Sequence, residues 1–201
     1  MDYNTDLKEK RRGEIIHAAM RVFSQYGYER AKMENIAAEA GIGKGTIYEY
    51  FPSKKRLFED MIYFNLDKYK KSLEKIALKK VSFNQKFHDL CQYNADFLRQ
   101  HLDILQFISK QGIELSNSMK KRLLEERNEI FNIFVQMLRE AIFRGEIRQN
   151  IDEEAAVVCI IGIITQIASE KVFIDKGDSS NYGSEPFLDI LMNGLANKND
   201  H

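Results

Sequence analysis

Lys44, Thr46, Tyr48 and Tyr50 stand together in the stretch Gly41-Ile42-Gly43-Lys44-Gly45-Thr46-Ile47-Tyr48-Glu49-Tyr50. An ammonium, a hydroxyl and two phenols, with Gly45 leaving room for close approach, are groups that meet phosphate oxygens or base edges. The same glycines resemble a nucleotide-binding loop, but the spacing fails. In G-x-G-x-x-G the third glycine would fall at Thr46. In the P-loop pattern the first glycine would fall at Ala38, and Gly45 stands where the hydroxyl after the lysine belongs.

The other reactive side chains form no catalytic or metal-binding set. His17, His88, His101 and His201 show no tight ligand spacing. His88 and Cys91, at i and i+3, make half a site without a second half. Cys91 and Cys159 form no CxxC pair and are expected to be two buried thiols in a reducing compartment. No catalytic residue, metal or cofactor is therefore expected.

The elements that position Lys44 to Tyr50 are helices. The chain has 201 residues but only 2 Pro and 11 Gly, with 44% apolar and 30% charged residues. That composition predicts a globular all-α protein. The spacing of Ile16, Ala19, Met20 and Phe23 predicts a first helix over residues 7–26, stopped at Gly27. Short helices are expected over 33–40 and 44–50, and Phe51-Pro52-Ser53 breaks the chain before a long helix over 54–80. Ser82 with Gln85 reads as a capping box opening a helix to about residue 98, followed by a shorter piece over 103–111. Helices over 119–144, 152–174 and 186–197 complete the chain, with a flexible loop over 176–184 between the last two. The run 155–164 is apolar on every side and is expected to be buried on every side. Its ten residues are too few to span a bilayer, and the N-terminus lacks a signal-peptide core, so a cytoplasmic protein is expected.

The short helices around Gly41 form a helix-turn-helix pattern. Ala37 and Ala40 allow a close crossing, while Ile42 and Ile47 point inward. Lys44, Thr46 and Tyr48 are then left for a DNA major groove. The zero net charge, 30 basic against 30 acidic residues, hides an asymmetry. Residues 1–80 hold 17 basic and 12 acidic side chains, residues 81–145 hold 9 and 8, and residues 146–201 hold 4 and 10. The basic excess lies at the end that carries the motif.

The string Ile36-Ala37-x-x-Ala40-Gly41-Ile42-Gly43-Lys44-Gly45-Thr46-Ile47-Tyr48-x-Tyr50-Phe51-x-Ser53-Lys54-x-x-Leu57 resembles the N-terminal signature of the TetR family of transcriptional regulators. Ala18-Ala19-x-x-x-Phe23-x-x-x-Gly27-Tyr28 is similar to that family's first helix. The resemblance covers residues 10–60. It implies an N-terminal helix-turn-helix domain over 1–60, with the fourth helix over 54–80 as connector, and a helical ligand-binding and dimerisation domain over 61–201. It implies DNA contacts from Lys44, Gly45, Thr46, Tyr48 and Tyr50, with Lys54 clamping a phosphate. The family often has a Thr or Ser pair before its second helix. Here Ala31 and Lys32 replace it, so the cap is lost and Lys32 offers its charge to a phosphate instead.

The same resemblance implies an apolar ligand pocket in the second half, expected near Phe87, Cys91, Phe107, Phe134 and Met137. The apolar residues Ile160, Gly162, Ile163, Ile164 and Ile167, with Phe187, Ile190, Leu191 and Leu195, suggest a four-helix dimer interface built from two helices of each chain. The expected function is a ligand-responsive regulator, a repressor, that binds a palindromic operator as a homodimer and is released by a small apolar or amphipathic effector. The alternative is a helical interaction module that binds a protein partner, or DNA without sharp sequence specificity.

Overall fold

With few glycines and prolines to stop them, helical runs persist. The computed structural model describes residues 3–111, 115–173 and 183–194, and leaves aside the side chains of 3–6 and 102–111. Among the described residues there are eight helices: α1 (Tyr3–Arg30), α2 (Met33–Glu39), α3 (Lys44–Tyr50), α4 (Lys54–Ala77), α5 (Phe83–Gln111), α6 (Asn117–Phe143), α7 (Glu153–Phe173) and α8 (Glu185–Asn193). The chain divides into two compact units, residues 1–68 with 101–123 and residues 69–100 with 124–201. α4, α5 and α6 each give residues to both.

The first unit, the head, is built on an apolar core. Ile15, Ala18, Ile36, Ile47, Phe51, Leu57, Phe58 and Met61 are essentially inaccessible to water. Each Ile, Leu or Phe buried this way contributes about 1.5–3 kcal/mol. α1 is interrupted where the sequence places its end: Gly27 has φ 75° and ψ 162°, a left-handed conformation suited to glycine. One further turn follows, closed by Ala31 N donating to Gly27 O at 3.1 Å.

The second unit packs Leu73, Phe83, Phe87, Leu90, Cys91, Phe134, Leu138, Val157, Ile160, Ile164 and Ile167 into its own core. Two expectations are corrected here. α5 is one continuous helix of 29 residues and does not break between 98 and 103, because nothing in 84–111 removes a backbone donor or favours a turn. α7 is buried on one face only. Val157, Ile160, Ile164, Ile167 and Ala168 point inward, while Val158 is 61% exposed and Cys159 faces outward. The expected pair of buried thiols is thus one buried, Cys91, and one exposed, Cys159.

The expected caps form at the starts of α4 and α7. Ser53 Oγ accepts Arg56 N at 3.1 Å, and Asp152 Oδ1 accepts Ala155 N at 2.9 Å. At α5 only half of the capping box forms. Ser82 Oγ accepts Gln85 N at 3.3 Å, but the Gln85 amide donates to Asp89, and Glu146 takes Phe83 N. Measured over its whole length, α7 is long and apolar enough to cross a membrane, a test that the core helix of a soluble protein also passes. The expected loop over 176–184 falls mostly outside the described residues. Ser184, at its end, precedes α8 and is buried.

Candidate nucleic-acid interface

The turn between α2 and α3 is set by Gly41, whose φ of 66° suits glycine. Three backbone bonds close it: Ala40 N to Ile36 O at 2.9 Å, Gly41 N to Ala38 O at 3.1 Å and Ile42 N to Ala37 O at 3.0 Å. Ile42 then packs against the head core, and Ile47 is completely buried. With Ile47 inward, the opposite side of α3 presents Lys44, Gly45, Tyr48 and Glu49 to solvent. A Cβ at Gly45 would meet no protein atom within 4 Å, so nothing inside the protein demands glycine there. Thr46 is half-buried, and Tyr50 is half-buried against the head core.

The cations around α3 already have partners. Lys44 Nζ lies 2.7 Å from Glu34 Oε1 on α2. The pair raises the Lys44 pKa and lowers that of Glu34, each chiefly through their mutual hydrogen bond. Arg21 pairs with Glu39 at 2.6 Å. Lys32 occupies the position before α2, makes no side-chain cap bond and is exposed, next to the buried Ala31.

Lys54 departs from its expected place. Its ammonium donates to Tyr28 O at 2.6 Å, Glu29 O at 3.1 Å and Ala31 O at 3.1 Å, and stands 4.4 Å from the centre of the Tyr28 ring. An ammonium has three protons, and all three are engaged. Lys54 therefore locks the end of α1, where cations suit the negative pole of a helix, and is not held out toward a phosphate. Its neighbour Lys55 is exposed, with no hydrogen bond or ion pair among the described residues.

In the second unit Phe87, Cys91, Phe134 and Met137 do come together, all within 3% of complete burial. They are part of the core of this unit. Burial pushes the Cys91 thiol pKa up to about 12, which keeps it protonated. The Phe107 side chain lies outside the described residues. A cleft of about 150 Å³ is found elsewhere in this unit, between Phe83, Leu138, Ile147, Arg148, Ala156 and Leu191.

The residues expected at a dimer interface are divided. Ile160, Ile164 and Ile167 are buried within their own unit. Ile163, Phe187 and Leu191 are half-buried, Gly162 and Ile190 are exposed, and Leu195 lies outside the described residues. The apolar side chains left exposed on α7 and α8, among the described residues, include Val158, Phe173, Ile190 and Met192, with Cys159 and Gly162 also exposed.

Residues 15–61 match the family model described as "Bacterial regulatory proteins, tetR family". The match spans the end of α1, the whole helix-turn-helix and the start of α4. Residues 15–61 thus form a TetR-type regulatory domain. The chain is a transcriptional regulator and not an enzyme. Across nearly its full length it is similar to the fatty acid metabolism regulator protein of Bacillus subtilis strain 168, with 26% identity over 96% of this chain and 100% of that one. Among solved structures it resembles the transcriptional regulator FadR from Bacillus subtilis in complex with stearoyl-CoA, with a TM-score of 0.69, 23% identity and coverage of 91% and 98%. A TetR/AcrR-family regulator from Thermobifida fusca gives a TM-score of 0.70 at 22% identity, covering 94% and 100%. These structures share the fold.

The TetR head also contains residues that sequence reasoning missed. Asp60, 8% exposed, accepts from Arg12 and, at 3.1 Å, from Arg56 Nε. The Arg12 guanidinium in turn lies 4.5 Å from the centre of the buried Phe51 ring. Glu59, 6% exposed, accepts the backbone N–H of Ser116 at 2.7 Å. A signal was present: Glu59-Asp60 interrupts the apolar run Leu57-Phe58 and Met61-Ile62, and charges inside such a run need partners.

Proposed function

We propose that the protein is a cytoplasmic repressor that binds a palindromic operator as a homodimer and lets go when an amphipathic acyl thioester, of which stearoyl-CoA is the test case, occupies its second half. Residues 1–60 form the DNA-binding domain, α4 is the connector, and residues 61–201 carry the effector and dimer functions. The observation that carries the reading is α3. Ile47 anchors it inside while Lys44, Gly45 and Tyr48 stand outside on one short helix. Thr46 and Tyr50 border that surface, and Lys32 and Lys55 are exposed cations of the same unit.

The effector class is suggested by likeness to the Bacillus subtilis fatty acid regulator along both chains' lengths. Phe87, Cys91, Phe134 and Met137, with Phe107, are the proposed lining. Four of them are buried in the core of this unit, so an acyl chain placed among them has to part them. It then acts only through its greater affinity for the parted state. Dimerisation is assigned to α7 and α8, which keep apolar side chains such as Val158 and Ile190 exposed. A twofold pair of heads matches two operator half-sites.

The test is electrophoretic shift with DNA from upstream of the protein's own gene. Lys44→Ala is expected to bind about tenfold more weakly, with the salt slope reduced by less than the roughly 0.9 of one phosphate contact, because Glu34 already pairs with the ammonium. Unchanged affinity and slope would sink the assignment of Lys44.

A further inference from the structure

We propose that the second unit carries a binding site for an aromatic monocarboxylate the size of benzoate, in the cleft between α5, α6, α7 and α8, with Arg148 taking the carboxylate. The cleft holds about 150 Å³. Its floor is apolar and closed: Phe83, Leu138 and Ile160 are each 2% exposed or less. Ile147, Ile151 and Leu191, all half-buried, complete the apolar lining. Protein interiors leave few voids larger than a water molecule, and an apolar cavity of about this volume admits a benzene ring. An apolar pocket with a few polar groups at its edge is the ordinary form of a small-molecule site. The cleft shares no residue with the effector lining proposed above and is too small for a stearoyl chain. The site therefore stands whether or not that effector reading does.

The turn between α6 and α7 supplies the charged edge. Gly145, with φ 74°, ends α6, and Glu146 N donates to Ala141 O at 2.9 Å. Most charges around this turn are already committed. Glu146 Oε2 accepts the Phe83 N–H, and its Oε1 lies 2.9 Å from Arg144 Nε. Asp152 Oδ1 accepts Ala155 N, and Glu153 pairs with Arg139 at 2.8 Å. Lys86 and Arg144 share Glu140. Arg148 lines the cleft, is exposed, and has no hydrogen bond or ion pair among the described residues. Its guanidinium offers two parallel donors, the fork that fits a carboxylate. The ligand that complements both the apolar cleft and the uncommitted cation is an anion with a compact apolar body. A ring suits it better than a chain of like size, because a ring has fewer internal rotations to lose on binding.

The test is a titration of the full chain with benzoate, followed by NMR of labelled Ile, Leu and Met methyl groups. The methyls of Ile147, Ile151 and Leu191 are expected to shift and to saturate with a Kd of about 1 mM or tighter, within reach of a ligand of about nine non-hydrogen atoms. Benzamide, which has the same shape without the charge, should bind about fivefold more weakly, the upper end for an exposed charge pair. Arg148→Met should lose that factor for benzoate and leave benzamide unchanged. Ala156→Leu, which fills the cleft, should remove the binding of both. No saturable shift of the cleft methyls in the wild type up to about 10 mM benzoate overturns the proposal. So does an Arg148→Met protein that binds benzoate as the wild type does. Shifts confined to Leu90 and Met137 put the ligand in the core and overturn it as well. Should Ala156→Leu fail to fold, the wild type and Arg148→Met still decide.

Discussion

The reading head and the second unit bury apolar side chains by the same rule but differ in what remains outside. Among the described residues, the large apolar side chains left exposed on the head are Leu7, Tyr26 and Tyr48, each between 41% and 47% exposed. The second unit leaves Leu78, Leu124, Phe143, Val158, Phe173, Ile190 and Met192, with Phe143 at 91%. The head is finished within one chain and meets its partner with polar groups. The second unit keeps apolar surface in reserve, as a unit that associates with another copy would. Inner polar groups tie helices together in both. In the head, Glu59, Asp60, Asn65 and His101 tie one helix to another. In the second unit, Lys70 reaches Glu126 at 2.7 Å and Glu129 at 2.5 Å, and Lys86 reaches Glu140 at 2.6 Å.

The strongest way to break this contrast is to hollow each core in turn. Phe58→Ala in the head and Phe87→Ala in the second unit should each cost about 3–5 kcal/mol, read by urea unfolding. Only Phe58→Ala is expected to abolish operator binding at temperatures where the protein remains helical. Equal loss of binding from both would erase the distinction between the units.

A smaller effect separates two adjacent lysines. Lys54→Met should destabilise the head by about 2–3 kcal/mol, since it removes a charged donor from three carbonyls. Lys55→Ala should leave unfolding unchanged and weaken operator binding several-fold, with a shallower salt dependence. The reverse pattern would return Lys54 to the role of phosphate clamp.

The smallest effect concerns pH. His17 lies edge-on to Phe64, and its pKa is lowered from 6.5 by burial first, then by Lys68 and Arg21. The unfolded chain therefore takes up this proton more readily than the folded one. The contribution of His17 is complete above pH 6.5 and declines as pH falls through 6.5 toward the lowered native value. A slight drop in melting temperature between pH 7 and pH 5.5 is expected, and His17→Gln should remove that part of it.

Much of the head was legible because its signals are local. Gly43 before α3 and Phe51-Pro52 after it bound the helix at both ends, and α3 runs over Lys44–Tyr50 as the spacing predicts. Ser53 and Asp152 cap the helices that follow them for the same reason. What escaped detection depends on residues distant in sequence. Lys54 looks like a cation at a helix start until folding brings the carbonyls of Tyr28, Glu29 and Ala31 to it. His101 lies in a polar stretch that suggests a break in α5, yet the residue is buried against Asn65. The uniform apolar run of α7 carries no periodicity to tell Val157 from Val158, and only its neighbours decide which is covered.

The Glu34–Lys44 pair has a consequence for how the regulator searches a chromosome. Off DNA, the foremost cation of the reading helix is already neutralised by a carboxylate 2.7 Å away. A phosphate of random sequence must displace that carboxylate, so the gain is only the difference between two anions. On the function proposed above, loose encounters are then short-lived, and base contacts on α3 add what the exchange of partners does not.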